Sequence, residues 1–91
     1  MLTANTRLSI SDQVVSRKVD DETVILDLTA GTYFGLDPIG SRFFELLEQE
    51  GTLNSVVARM LQEFDVSEEQ LTTDLLKLVE EMVANGLLEA G

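Results

Sequence analysis

The sequence predicts an α+β fold in which a three-stranded antiparallel sheet is followed by three helices. Strand-like segments with period-2 alternation occupy residues 13–36, and apolar residues recur with the period of a helix after residue 37. Between the two patterns, residues 28–40 contain a glycine turn, an aromatic segment and a helix start. This junction therefore determines how the sheet meets the helices.

Two strands are predicted before the glycine turn. The first covers residues 13–19 and the second residues 22–28, with the turn-forming pair Asp20-Asp21 between them. The second segment is rich in strand-forming residues, and alternate positions give it one apolar face, formed by Val24, Leu26 and Leu28. The two segments predict the first hairpin of a meander.

The third strand is predicted over residues 32–36. Thr29-Ala30-Gly31 precedes it and has the composition of a hairpin loop, with glycine where a positive φ is required. Phe34 and Leu36 share one face of this strand with Thr32, and we expect that face to pack on the first helix. Tyr33 points the other way, which makes it a surface candidate.

The first helix begins at a strong sequence signal. Asp37 is suited to cap it, and Pro38 stands at the first helical position, where a missing N–H costs little. The pair Glu50-Gly51 predicts its end, with glycine as a left-handed cap. Its buried stripe is predicted to contain Ile39, Phe43, Leu46 and Leu47.

Two more helices follow. Thr52 is suited to cap the second, whose apolar period continues to Phe64. Ser67 and Gln70 predict a capping box at the start of the third helix, which should end near Asn85-Gly86. The order of elements predicts a winged helix-turn-helix-like domain over residues 12–91. Residues 1–11 are predicted to form a flexible arm with a short extended piece at residues 7–10.

Composition excludes several classes of function. The 91 residues include no histidine and no cysteine, so we expect no Ser-His-Asp or Cys-His catalysis, no metal site and no cofactor. Seventeen acidic against six scattered basic residues give a net charge of −11, which disfavours nucleic acid and anionic membranes. The charge serves solubility or attracts a basic partner. The first ten residues lack a signal-peptide core, so a cytoplasmic protein is expected.

Two surfaces remain without a predicted partner. The third strand is an edge of the meander, and an extended peptide can add to such an edge. The third helix has an apolar arc of roughly 160°, wider than the roughly 100° that a surface helix needs. Either both edges of that arc belong to the core, or one edge is left exposed. The arc contains Leu71, Leu75, Leu76, Leu78, Val79, Met82 and Val83.

Residues 24–41, VILDLTAGTYFGLDPIGS, resemble the PqqD-like family. The family pattern is an apolar strand, a small-residue turn, an aromatic strand, Leu-Asn/Asp and a glycine at the helix start. Gly51-Thr52-Leu53 and the segments at 64–67 and 85–88 fit it too, so the similarity covers roughly residues 12–89. Phe44 stands where many relatives carry tryptophan, which we expect to change packing only.

The resemblance implies a recognition element for ribosomally made, modified peptides. Such domains are non-catalytic adaptors that bind the leader part of a precursor peptide and deliver it to a processing enzyme. The leader adds beside the third strand and lies against the third helix. Carried over to this chain, the peptide-binding residues are Thr32, Tyr33, Phe34, Gly35, Asp74, Leu75, Lys77, Leu78, Glu81 and Met82.

The resemblance favours a lasso-peptide pathway, whose processing enzyme is a leader peptidase. The pyrroloquinoline quinone pathway, with a radical enzyme, is the next candidate. A winged-helix DNA-binding regulator is the alternative from another class, although five acidic residues against one lysine make the third helix poorly suited to a major groove. A monomer is expected, and a dimer formed through the edge strand is the alternative.

Overall fold

The computed structural model of the protein describes residues 3–91. Within this range the chain forms five strands and three helices: β1 (Leu8–Ile10), β2 (Val14–Val19), β3 (Glu22–Asp27), β4 (Thr32–Leu36), α1 (Pro38–Glu50), α2 (Leu53–Met60), α3 (Glu68–Ala84) and β5 (Leu88–Ala90). The predicted three-stranded antiparallel sheet and the three helices are confirmed, and the sheet has the order β2-β3-β4. The winged helix-turn-helix description stays a prediction.

One face of the β2-β3-β4 sheet packs on the helices. Ile25 is completely buried and pairs with Phe34 of β4, while the buried Thr23 pairs with Leu36. The apolar face predicted for β3 lies on the other side, where Leu28 is 58% exposed. The buried face has Ile25 as its one apolar residue, beside Thr23 and Asp27, so alternation in the sequence favoured the face that the helices do not cover.

A close-packed junction joins β4 to α1. The carboxylate Oδ1 of Asp37 accepts a hydrogen bond of 2.7 Å from the backbone N–H of Gly40. The hydroxyl of the buried Ser41 donates to the carbonyl of Leu36 at 3.3 Å. A Cβ atom on Gly40 would lie 3.2 Å from Asp37 Oδ1 and 3.3 Å from Leu36 Cδ2, so a larger residue would force these groups apart. The predicted cap is thus confirmed.

The ends of α1 and α2 show one agreement and one difference. Gly51 ends α1 with φ at 83°, as predicted, and Thr52 Oγ1 accepts a hydrogen bond from Ser55 N–H. Regular helix ends at Met60, so the second helix is shorter than predicted. Beyond the helix end, the Phe64 N–H donates to the Met60 carbonyl at 2.9 Å and closes one further turn. Because of this turn, the apolar residues keep their helical spacing after the regular helix has ended.

The predicted capping box of α3 is only half formed. Ser67 Oγ accepts from the Gln70 N–H at 3.1 Å. The Gln70 side chain, however, donates to Asp74 Oδ1 at 2.9 Å instead of reaching back to the cap. At the other end Gly86 has φ at 75°, and the Leu87 N–H donates to the Met82 carbonyl at 2.9 Å. These two features form a Schellman motif.

The N-terminal segment forms part of the fold. β1 pairs antiparallel with β5, with Leu8 opposite Ala90 and Ile10 opposite Leu88. Leu8 is only 4% exposed, and its N–H donates to the Gly51 carbonyl at 2.8 Å. Over residues 3–11 the structure differs from the flexible arm expected there, although the short extended piece predicted at residues 7–10 corresponds to β1; residues 1 and 2 of the predicted arm lie outside the described residues. Three-residue strands are too short to show a period, so the sequence did not indicate this pairing.

The core lies between the sheet and the helices and continues beneath β1 and β5. It includes Phe43, Phe44, Leu46, Leu53, Val56, Met60, Val79 and Leu88. Phe44 is thus a packing residue, as expected. No helix within residues 3–91 is long and apolar enough to cross a membrane.

An ion pair connects α1 to the turn after α2. The Arg42 guanidinium donates to both carboxylate oxygens of Glu63, at 2.8 and 2.7 Å. These hydrogen bonds, helped by Coulomb attraction, lower the pKa of Glu63 from its ordinary value and raise the pKa of Arg42. Since the Glu63 pKa is lowered on folding, the pair stabilises the fold at neutral pH and this contribution is lost as pH falls.

We predict that Leu8→Ala lowers the free energy of unfolding by about 2–5 kcal/mol, because it removes a buried side chain from the core. Chemical denaturation measures the change. Ser9→Ala is the matched control: its side chain is exposed on the same strand, and it should change stability by less than about 0.5 kcal/mol. Equal stability of the two variants would show that the segment is held loosely.

Candidate functional site

An open groove lies between β4 and α3, and the start of α1 forms part of its lining. Its volume is about 540 Å³, within the range of sites that accept small ligands or a few side chains of a peptide. We call it the β4–α3 groove. It is lined by Phe34, Gly35, Leu36, Asp37, Ile39, Gly40, Asp74, Leu75, Leu78 and Glu81.

The first wall of the groove is an unpaired strand edge. β4 pairs with β3 along one side, and within residues 3–91 no strand pairs with its other side. At such an edge every second residue directs its N–H and C=O groups away from the sheet. Gly35 lies on this wall, and a Cβ there would meet no atom within 4 Å other than those of its chain neighbours, so no other side chain covers the strand at this position. This edge can pair with a further strand.

The second wall is the exposed border of the apolar arc on α3. Leu71, Leu75, Val79 and Met82 are buried, so most of the arc belongs to the core. Leu78 is only half-buried and lines the groove. Both alternatives for the wide arc therefore hold in part, since its centre packs inside while one border faces the groove.

The groove is acidic as well as apolar. Three carboxylates line it, and none of the six Lys and Arg side chains does. Asp37 uses Oδ1 for the helix cap, and Asp74 uses Oδ1 to accept from Gln70. Within residues 3–91 the Glu81 carboxylate makes no hydrogen bond or ion pair. A ligand with positive charge would meet negative charge here.

The structure brings together six of the ten sequence-predicted site residues at the groove, namely Phe34, Gly35, Asp74, Leu75, Leu78 and Glu81. Thr32 and Lys77 are exposed but do not line it. Tyr33 is 74% exposed and lies on the sheet face away from the helices. Met82 is completely buried among core residues, so its side chain is not available to a ligand in this structure.

The junction residues that line the groove were missed as site residues. The sequence predicts Asp37 and Gly40 as parts of a helix start and Leu36 and Ile39 as packing residues, and Ile39 is in fact only partly buried, beside the groove. The signal was present, because a chain that turns from an edge strand straight into a helix must place the first helical turn beside that edge.

A second concavity, of about 610 Å³, lies on another surface of the domain. It is lined by residues of β1, by the end of α1 and by Gly91. It shares no lining residue with the β4–α3 groove, and none of the ten predicted site residues lines it.

Together these features define a small α+β domain with an open strand edge beside an apolar and acidic helix wall. Residues 22–88 match the family model described as coenzyme PQQ synthesis protein D, PqqD. The chain belongs to the PqqD family, and the resemblance found in the sequence is confirmed. None of the curated proteins compared with the chain matches it.

Two solved structures are similar to the chain. One is described as TbiB1 in complex with the TbiA(beta) leader peptide; it is 41% identical, with a TM-score of 0.84 over 89% of this chain and 94% of that one. The other is described as lasso peptide synthetase B1 complexed with the leader peptide. It is 19% identical, with a TM-score of 0.81 over 91% of this chain and 98% of that one, and it shows the shared fold.

We predict that hydrogen exchange divides the amides of β4 into two groups. The N–H groups that pair with β3 should exchange slowly, and the alternate ones should exchange fast because they face solvent. Amides of β3, which is paired on both sides, should all be slow. NMR-detected exchange at several protein concentrations measures this. If all β4 amides exchange slowly, and their protection increases with protein concentration, the edge forms a dimer.

Proposed function

We propose that the protein is a non-catalytic adaptor that binds the leader segment of a ribosomally synthesised precursor peptide. The leader adds to β4 as a fourth strand, lies against α3 and is presented to a processing enzyme. The observation that carries this proposal is the unpaired β4 edge beside the half-buried Leu78. The structure of TbiB1 with a leader peptide supports it, because TbiB1 is 41% identical over most of both chains.

Strand addition explains what each part of the site does. The leader backbone pairs with the outward N–H and C=O groups of β4, which gives affinity without requiring a particular sequence. Alternate leader side chains point into the groove, where Phe34, Ile39 and Leu78 offer apolar contacts. The others point to the opposite sheet face, beside Tyr33. Thr32 and Gly35 complete the strand side, and Lys77 lies outside the groove on α3.

The processing partner is proposed to be the leader peptidase of a lasso-peptide pathway. The supporting observations are the Tyr33-Phe34 pair followed by Gly35-Leu36-Asp37, and the likeness to B1 proteins. A radical enzyme of the pyrroloquinoline quinone pathway is the second candidate, in line with the description of the family. Binding of each purified enzyme to the domain, with and without the leader, distinguishes the two.

The DNA-binding alternative meets an electrostatic obstacle. α3, the helix that would enter a major groove in a winged helix-turn-helix protein, begins with Glu68 and Glu69 and exposes Asp74, Glu80 and Glu81. Phosphates would be repelled by this surface. A mobility shift on random DNA at low salt tests the alternative directly.

We predict that Leu78→Ala weakens leader binding by about tenfold, because a half-buried leucine in contact with a ligand contributes roughly 1–2 kcal/mol. The measurement is a fluorescence-polarisation titration with a synthetic peptide that covers the N-terminal half of the precursor encoded nearby. Leu76→Ala is the matched control. Leu76 is also half-buried on α3 but does not line the groove, so binding should change little.

Hydrogen exchange in the same titration tests the geometry. The fast β4 amides should become slow when the leader binds, since they acquire backbone partners. Binding that leaves these amides fast would place the leader elsewhere. No saturable binding by the folded protein would overturn the proposed function.

We predict that Tyr33→Ala weakens leader binding by about twofold to fivefold and leaves stability nearly unchanged. Tyr33 would neighbour an outward-facing leader side chain, and a cross-strand contact of this kind contributes roughly 0.2–1 kcal/mol. Val15→Ala is the control in the same titration: Val15 is 50% exposed on the same sheet face, but it belongs to β2, at the opposite edge. Equal effects of the two variants would remove Tyr33 from the site.

A further inference from the structure

We infer that the β4–α3 groove selects leader segments that carry lysine or arginine two residues from a groove-facing apolar residue. The inference rests on the proposed function and adds a chemical specificity to it. It follows from the position of two carboxylates, Asp74 and Glu81, on either side of Leu78.

The three side chains form one strip along α3. Successive positions on a helix are about 100° apart, so residues 74, 78 and 81 lie within roughly 60° of one another around the axis. With about 1.5 Å of rise per residue, Asp74 lies roughly 6 Å before Leu78 and Glu81 roughly 4.5 Å after it. The strip therefore reads acidic, apolar, acidic over about two turns.

An added strand has a matching spacing. Its side chains alternate, so residues i and i+2 point the same way and lie about 6.7 Å apart along the strand. A leader strand that runs along α3 with one residue over Leu78 thus places its second neighbours near Asp74 and Glu81. Positive charge at either neighbour meets a carboxylate, whereas a leader with negative charge there is repelled.

The charges around the strip favour a cation over any other occupant. Within residues 3–91 no Lys or Arg lines the groove. The four ion pairs in the same range join basic side chains to Glu45, Glu50 and Glu63, and none of them involves the carboxylates of the strip. Lys77 lies beside the strip, roughly 40° from Glu81 and 60° from Asp74 around the helix, but within residues 3–91 it forms an ion pair with neither and does not line the groove. The net charge of −11 adds a long-range attraction for basic peptides.

Both carboxylates are available to a ligand. Asp74 and Glu81 are exposed, and Asp74 uses one oxygen for its hydrogen bond from Gln70. The Glu81 carboxylate has no partner among residues 3–91. Neither group belongs to the core or to a helix cap, so the fold does not require their charge. Their role is therefore best sought in recognition.

The test removes the two charges and compares a matched pair of charges elsewhere on the helix. The double variant Asp74→Asn/Glu81→Gln should weaken leader binding by about threefold to tenfold. The control double variant Glu69→Gln/Glu80→Gln changes the net charge equally, but its residues lie roughly 100° or more from the strip and are exposed. Its affinity should change by less than about twofold.

Salt and peptide variants complete the experiment. Binding of the N-terminal-half precursor peptide is measured at about 50 mM and about 300 mM NaCl, between which screening of exposed charges increases strongly. Wild-type affinity should fall with salt more steeply than that of the Asp74/Glu81 variant. Replacing the leader lysine or arginine by glutamine should weaken binding to the wild type and have little effect on that variant.

The outcomes separate the two proposals. Saturable binding that the Asp74/Glu81 and control variants change equally would overturn the charge selection and leave the adaptor function standing. A leader that binds but has no lysine or arginine two residues from its groove-facing apolar residue would do the same. No binding to the folded wild type would overturn both.

Discussion

The hydrogen bond from the Gly40 N–H to the Asp37 carboxylate is the contact on which the arrangement of the site depends. It ends β4 and begins α1 within one turn, and the close packing of Leu36 against Gly40 leaves little freedom in the angle between them. The position of the strand edge relative to the helices is therefore set locally. α3 then needs only to pack on the core through Leu75 and Val79 to form the second wall of the groove.

This construction holds the β4 edge in place and leaves it unpaired within residues 3–91. β4 pairs with β3 on one side, and the buried Leu36 anchors its end in the core. Its other side therefore needs no partner strand to keep its position. An exposed edge usually carries a risk of self-association. Here the acidic groove wall and the high negative charge of the chain oppose pairing between two copies, while they leave the edge open to a peptide of opposite charge.

Much of the fold could be predicted from the sequence because its signals are local. The cap at Asp37, the left-handed Gly51 and the strand periodicity each depend on a few neighbouring residues. What could not be predicted depends on contacts distant in the sequence. The pairing of Leu8 with Ala90, the choice of Ile25 over Leu26 for the buried face of β3 and the burial of Met82 all depend on which elements meet. Likewise, the part of the groove that α1 lines was not predicted, because Ile39 and Gly40 line a groove only when α3 packs opposite β4.

The pairing of β1 with β5 has a consequence for how the domain can be attached to other proteins. Leu8 lies opposite Ala90, so the two ends of the domain emerge side by side. The concavity lined by β1 and Gly91 shares no residue with the β4–α3 groove. The domain can therefore be inserted into a surface loop of a larger enzyme through two adjacent connections, or fused to that enzyme at either end. In each case the β4 edge stays apart from the attachment point, since the two concavities share no lining residue.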